Sequence, residues 1–508
     1  MKRMIMKRIK ITAVLLSLGF ITSACGGNAS GTSGTAGTAG TAPDEPAETG
    51  TDQIAGEITV ACYDTMSYQT FLEEAAKLFE EKYPGTKVNI DCFSEMPEIK
   101  TFEQDGMYIS SIQIEDDSQG RADYISKTST VLMSGQGADL LAMDVLPVYK
   151  YVESGQLADL SEYMNQDPGF NKSDYRENIL NSLTFQNGTW FLPLDYGFDY
   201  YTYDSTLMEE QQSSQFGANQ AFTSKQLMEL GKTVFDGTNR IFSTPAYSQK
   251  GGGDLFSLMF RENYRHFINM DTKTANFDDG EFKALINYVK ELAEEGYIPK
   301  RAGKMMNPED LTTLTVDNQT NRFLFKAKNL LSLIQQTYTG PDLKLMIATS
   351  NAEKGIETDD EIAGIWSDEA GIVPFSYEQA FGINANSQNK ELAWEFLKFL
   401  LSYEIQASPG TFDLSLPIHN EARRDKAKSM YRMLLTDGGE LDQTQKESLQ
   451  AYTDAVEMMS DRINGYTVKD TTIQDMVTQE IGYFFDGNKT ADEVCQVLQN
   501  KVGLYLNE

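Results

Sequence analysis

Between residues 56 and 93 the spacing of apolar positions changes twice. "GEITVAC", residues 56–62, is a short β-branched run and predicts a strand. In "SYQTFLEEAAKLFEEKYPG" the residues Phe71, Ala75, Leu78 and Phe79 fall on one helical face, and Tyr83-Pro84-Gly85 stops the helix. "TKVNIDCF", 86–93, reads as a second strand. Strand, helix and strand in such a short span make a βαβ unit, which implies a parallel sheet covered by helices. Residues 95–120 are polar, acidic and weakly patterned, and predict a loop insertion. "DYISKTSTVLMSGQGADLLAMD" then predicts a helix, a glycine break and a buried strand ending at Asp144. The α/β rhythm runs on to the C-terminus. Ala393, Phe396, Leu397 and Leu400 form a stripe in "NKELAWEFLKFLLSYEIQ". "TADEVCQVLQNKVGLYL" opens with a capping box, Thr490 to Glu493, and continues with Val494, Val497, Leu498, Val502 and Tyr505. No repeat of 20 to 50 residues is present.

The chain opens on a different pattern. Lys2, Arg3, Lys7, Arg8 and Lys10 precede an eleven-residue apolar run, Ile11 to Ile21, and then the small residues Thr22, Ser23 and Ala24 before Cys25. That run is well short of the roughly 20 residues a membrane-spanning helix needs. It reads as a secretory signal, residues 1–24, with a small-residue cleavage site. The cysteine placed there resembles the lipobox of bacterial lipoproteins, although Thr22 stands where a large aliphatic residue is usual; an ordinary signal with an incidental cysteine is the alternative. The resemblance implies lipid attachment at Cys25 and a protein held at the outer face of the cell membrane. Residues 25–56 complete the arrangement: "GTAGTAGTA" and "PDEPAET" cannot bury enough apolar surface to offset chain entropy, so this stretch is expected to act as a flexible linker. Its random-coil reach is on the order of 30 Å.

Composition narrows the classes. The 484 residues after the signal can supply two or three domains' worth of core. A net charge of −32, more negative once the five-cation leader is gone, argues against nucleic acid and against an anionic lipid surface as partners. Only three cysteines follow Cys25, which excludes a disulfide scaffold. Cys62 and Cys92 end two runs that fit neighbouring strands; a bridge between them is open, but the expectation is that they stay unpaired. Cys495 is expected to be a packed thiol.

Five stretches carry a family resemblance in their order and spacing. "FLEEAAKLFEEKYPGTKVNI", "LMSGQGADLLAMD" (with Ala138 in place of the usual proline), "ESGQLADLSEYM", "QNGTWFLPLDYGFDYYTYDSTLM" and "FGINANSQNKELAWEFLKFLLSYEIQ" resemble the extracellular solute-binding proteins of ABC importers, in the sugar-binding family that includes the maltose-binding protein. The resemblance covers most of 57–508 and is thin at 205–325 and 345–370. It implies a periplasmic-binding-protein-like α/β fold in which two lobes, joined by two or three crossings, hold a solute between them at the C-terminal ends of strands. On this alignment the N-lobe comprises 57–193 with 380–430, and the C-lobe 197–376 with 431–508. The implied partners are a carbohydrate, an oligosaccharide in first place, and the permease subunits of an ABC transporter; the protein is expected to be monomeric and to carry no cofactor.

A sugar offers flat C–H faces and a rim of hydroxyls, so its site needs aromatic faces together with carboxylates or amides. With 25 Tyr and 3 Trp in the chain, acids beside aromatics at strand ends become the candidates. Tyr63 and Asp64 follow the first strand, Asp144 ends the third, and Asp195 and Tyr196 sit at the first crossing. Tyr338, in "IQQTYTGPD", lies where the resemblance places a stacking aromatic. Trp366, in a Gly- and Ala-rich polar loop, is a candidate stacking platform. Each has a plainer reading: helix N-caps for Asp64 and Asp144, hinge packing for Tyr196, loop packing for Tyr338. Catalysis finds little support. His266 and His419 lack metal-ligand spacing, and neither a G-x-S-x-G elbow nor a Walker A loop occurs. Paired carboxylates suffice for a glycosidase, so a surface-tethered carbohydrate-active hydrolase stays as one alternative. A solute-binding partner of a membrane sensor is the other.

Overall fold

The computed structural model describes residues 54–63, 68–93, 99–104, 107–112, 118–235, 237–243, 253–298, 322–329, 360–408, 415–433, 443–467 and 470–508. The signal, Cys25 and nearly all of the tether, together with Asp64 and Tyr338, lie outside the described residues. Two five-stranded sheets organise the rest. The first runs in the order Thr86–Cys92, Gly56–Cys62, Leu140–Ala142, Ala380–Ile383, Leu192–Pro193. Its first three strands are parallel, as the βαβ pattern required, and Ala380–Ile383 returns antiparallel. The second is built around Asp199–Asp204, flanked antiparallel by Phe323–Asn329 and Asp360–Trp366, with Arg240–Ser243 and Ala221–Phe222 at the edges. Each sheet has its own hydrophobic cluster, so the chain forms two α/β lobes.

Helix Tyr68–Lys82 forms where expected, but on a rotated face. Tyr68, Leu72, Ala75, Ala76 and Phe79 are buried, whereas Leu78 is 40% exposed. The rotation follows from the helix's partner: Phe79 sits 5.1 Å from Phe396 and 5.4 Å from Phe399 on helix Lys390–Leu400, which carries the predicted stripe. The predicted loop at 95–120 contains instead an antiparallel ribbon, Ile99–Gln104 with Met107–Ile112, that pairs with no other described strand. The capping box at Thr490 and Glu493 is closed in both directions and starts helix Ala491–Asn507.

Three segments pass between the lobes: 194–198 outward, 374–379 in return, and 464–467 outward again. They lie side by side. Asp195–Tyr196 pairs with Leu416–Pro417, Gly197 bridges Ser376, and Gly465–Tyr466 pairs in parallel with Pro374–Phe375. The third crossing corrects the expected boundary at 431. Helix Gln443–Ser460 packs Ala455, Val456 and Met459 into the first lobe's cluster. Arg176 and Arg423 of that lobe both hold Glu457, the former at 2.8 Å. Of the described helices after 431, only the last two, Thr471–Phe485 and Ala491–Asn507, belong to the second cluster.

At the centre of the crossings Asp195 is fully buried. Its Oδ1 accepts the backbone N–H groups of Glu378 and Gln379 at 3.0 and 3.1 Å, and its Oδ2 accepts the Ser415 hydroxyl. One carboxylate thus ties the outward crossing to the return crossing and to the strand that pairs with it. The lobes also meet away from the hinge. Tyr149, on the short first-lobe helix Val148–Glu153, packs into the second lobe's cluster and donates its hydroxyl to Asp470 at 2.9 Å. Lys273 reaches Glu153 at 2.7 Å alongside.

Replacing Asp195 with Ala leaves three buried donors without their acceptor, so it should cost about 2–4 kcal/mol. Asp195→Asn keeps an acceptor for the two N–H groups and should cost distinctly less. Equilibrium denaturation of both variants measures the difference; equal losses would remove the hub role.

Candidate functional site: the edge between the lobes

The three parallel strands of the first sheet and Leu192–Pro193 all end at one edge, and antiparallel Ala380–Ile383 begins there. This places Tyr63, Phe93, Asp144, the 194–195 pair and Tyr377 along a single line facing the crossings. Aromatic rings build a wall on it. Tyr63 and Phe93 lie 6.3 Å apart at an interplanar angle of 27°, and Tyr124, from helix Ser118–Met133, is 5.6 Å from one and 5.5 Å from the other. Nearer the crossings Tyr377 lies 5.3 Å from Phe191, which lies 5.7 Å from Tyr466 on the third crossing. Tyr68 packs 5.9 Å from Phe381 below them.

Asp144 is half-buried within this group. Burial, and after it the charge of Asp144, pushes the hydroxyls of Tyr68 and Tyr124 well above the ordinary phenol range. In Tyr377 burial and Tyr466 act ahead of Asp144 in the same direction. These phenols therefore stay protonated and keep an O–H to donate, next to a carboxylate that accepts. Behind Phe93 and Tyr124 a cavity of about 250 Å³ separates the helix from the sheet, with Asp91, Lys127, Val131 and Leu141 among its walls.

The opposing edge, in the second lobe, centres on Glu262. It is buried and accepts from Trp366 Nε1 at 2.9 Å, Ser224 N at 2.6 Å, Ser224 Oγ at 2.8 Å and Tyr201 Oη at 3.2 Å. Burial outweighs these four donors and lifts its carboxyl to about 7. Arg261 covers the Trp366 ring at 4.9 Å and pairs with Asp199 at 2.8 Å.

Tyr63 and Asp144 are brought to the same edge, linked through Tyr124. Asp195 and Tyr196 are corrected as ligand groups, because their polar atoms are already committed. Asp195 is the buried hub of the crossings, its carboxyl lifted by burial to about 6. Tyr196 is fully buried with its hydroxyl 3.1 Å from Ser460 Oγ, which is hinge packing. Trp366 is corrected too. It ends strand Asp360–Trp366 instead of riding a loop, spends its N–H on Glu262 and has its ring covered by Arg261. The sequence reading missed Phe93, Tyr124 and Tyr377. A signal for Phe93 existed, since it follows Cys92 as Tyr63 follows Cys62. The unpaired reading of these cysteines is also overturned, for Cys62 and Cys92 form a disulfide, while Cys495 is the buried free thiol expected. Among the described residues no group of three or more His, Cys, Asp or Glu is placed to hold a metal ion. No described helix is long and apolar enough to cross a membrane.

Two lobes, three crossings and an aromatic edge between them are the architecture of a solute-binding protein. The family model of bacterial extracellular solute-binding proteins matches residues 99–407, and the chain belongs to that family. Among solved structures it is similar to an extracellular solute-binding protein, family 1, of Alicyclobacillus acidocaldarius, at 15% identity over 89% of this chain and 99% of the other, with a TM-score of 0.50. It is also similar to the maltose/maltodextrin-binding domain of Bdellovibrio bacteriovorus bound to maltotriose, at 14% identity over 89% and 100%, TM-score 0.46. An ABC substrate-binding protein of Listeria monocytogenes in complex with cycloalternan gives 17% identity over 89% and 100%, TM-score 0.47.

The raised carboxyl of Glu262 has a signed consequence. Between the ordinary carboxyl range and about pH 7 the folded protein keeps a proton that the unfolded chain has lost, so this group's contribution to stability falls as pH rises through that window. Glu262→Gln should remove that part of the dependence. The variant's stability relative to wild type should therefore rise from about pH 5 to pH 7 and stay level above it, as read by urea denaturation across the range.

Proposed function

We propose that this protein binds a carbohydrate, in first place an oligosaccharide, in the cleft between its lobes and delivers it to the permease subunits of an ABC importer. Membership of a solute-binding family supports the binding role, and the aromatic edge supports the ligand class. Half-buried Phe93 and Asp144 lie on this edge beside Tyr63, Tyr124 and Tyr377, which are buried in this arrangement and would meet a ligand with their ring faces and phenol donors as the lobes part. Those are the groups that pyranose C–H faces and hydroxyls require. Several neighbouring rings also fit more than one sugar unit. The ligand would close the hinge only through contacts it makes better when the lobes are together.

We further propose that Cys25 carries a lipid anchor, and that the following linker keeps the lobes near the importer without fixing their orientation. The reading rests on the basic, apolar and small-residue order of 1–24 and on the low-complexity stretch after it.

Thermal stabilisation by a panel of maltotriose, cellotriose, xylotriose and their monosaccharides tests the ligand class. At least one trisaccharide should raise the melting temperature and be recovered chemically unchanged. For that sugar, Asp144→Ala should weaken binding by about ten-fold or more, the loss of a charge-assisted hydrogen bond of about 1.5–3 kcal/mol. The empty protein should stay within about 1 kcal/mol of the wild type, because Asp144 is only half-buried. Unchanged affinity in the variant would move the site elsewhere. For the anchor, Cys25→Ser should abolish metabolic labelling with palmitate; a labelled variant would refute it.

A further inference from the structure

The Cys62–Cys92 disulfide stands at an unusual place. It joins the last paired residues of two parallel strands, whose register closes at Cys62 and Cys92 with the Cα atoms 4.9 Å apart. One hydrogen bond lies beyond it, from Phe93 N to Cys62 O at 3.0 Å. The residues that leave the bridge are Tyr63 on one strand and Phe93 on the other, the pair that forms the outer wall of the cleft edge. We propose that this disulfide is a positioning element of the solute site, setting the Tyr63–Phe93 wall that the ligand meets; the proposal rests on reading that edge as the carbohydrate site.

Packing explains why a covalent tie is needed there. An aromatic ring in a filled core is held by its neighbours on every side. Phe93 is held on one side by Tyr63 and Tyr124, but behind it lies the cavity of about 250 Å³ between helix and sheet. Lys127, which also lines that pocket, reaches over the ring at 5.3 Å. A ring that borders a half-open pocket has room to shift, and a parallel strand end can fray beyond its last ladder bond. The bridge removes that freedom in both strands at once. Tyr63, itself buried, then backs a fixed Phe93 ring, so the cost of ordering the pair is met before the ligand arrives. Cys62 is buried and Cys92 half-buried, so reductant can reach the bond from the Cys92 side. An extracellular protein keeps such a bond oxidised.

The test compares oxidised protein, protein reduced with a phosphine, and the Cys62→Ser/Cys92→Ser variant. Calorimetry with the best-binding sugar of the panel should give a dissociation constant about ten-fold higher in the last two. Tyr63→Leu should lower affinity with the bridge intact, and adding Tyr63→Leu to the serine pair should cost far less than the sum of the separate losses. Such non-additivity marks a shared action on one wall, which a general loss of stability does not produce. Hydrogen exchange supplies a reading independent of sugar: reduction should speed exchange at the Phe93 amide and leave that of Leu141, deeper in the same sheet, unchanged. Equal affinity in oxidised and reduced protein, or fully additive losses, overturns the proposal. If no sugar of the panel binds oxidised protein, the ligand class is wrong, and unchanged exchange at Phe93 then overturns the positioning role on its own.

Discussion

One buried carboxylate sets the terms for the rest of this molecule. Asp195 has no contact with solvent and, among the described residues, no cation within its hydrogen-bonding shell; two backbone N–H groups and one serine hydroxyl satisfy it. A charge so placed is tolerated only while all three donors are present. That requirement locks the outward crossing, the return crossing and the 415–417 strand into a single geometry. Both sheets take their bearings from it. Leu192–Pro193 ends the first sheet just before Asp195, and Asp199–Asp204 begins the central strand of the second just after it. A hinge between two lobes must bend without losing its register, and a donor-saturated hub at the crossing meets that need.

The edges on either side of the hub differ in character. The first lobe presents rings and phenols grouped around Asp144, with groups suited to meeting a polar, flat molecule. The second presents Glu262 already saturated by its own chain, and Trp366 held under Arg261. The chain leaves strands Arg240–Ser243 and Phe323–Asn329 of the second sheet into segments outside the described residues. The proposed site is therefore the first lobe's half of the cleft, and the carbohydrate reading rests on its geometry.

Much of this was legible in the order of residues, and the failures have a common cause. Periodicity says which face of an element is buried, not what it is buried against. The helices at 390–400 and 491–507 were readable because their stripes and the Thr490–Glu493 box are local properties. Helix Gln443–Ser460 was assigned to the wrong lobe because the Arg176 and Arg423 contacts that hold Glu457 are set by tertiary structure. The disulfide escaped for the same reason: alternation alone does not align Cys62 with Cys92 across two strands. "DEIAGIW" read as a loop because of Gly364, yet that glycine serves a strand. A Cβ there would come within 2.9 Å of the Gln220 carbonyl, so only glycine lets strand Ala221–Phe222 approach. Asp195 and Tyr196 were found as special positions, but acid next to aromatic describes a hinge hub as well as a sugar contact.

Tyr149 belongs to one lobe by connectivity and to the other by packing. Parting the lobes at that point uncovers its ring and takes one of the three donors from Asp470, which otherwise accepts from Tyr149, Tyr505 and the Ile473 amide. The penalty for such a step is of the order of a few kcal/mol. The joint consequently works as a detent more than as a loose pin: it has a preferred stop, and leaving that stop demands a finite push before any wider travel begins.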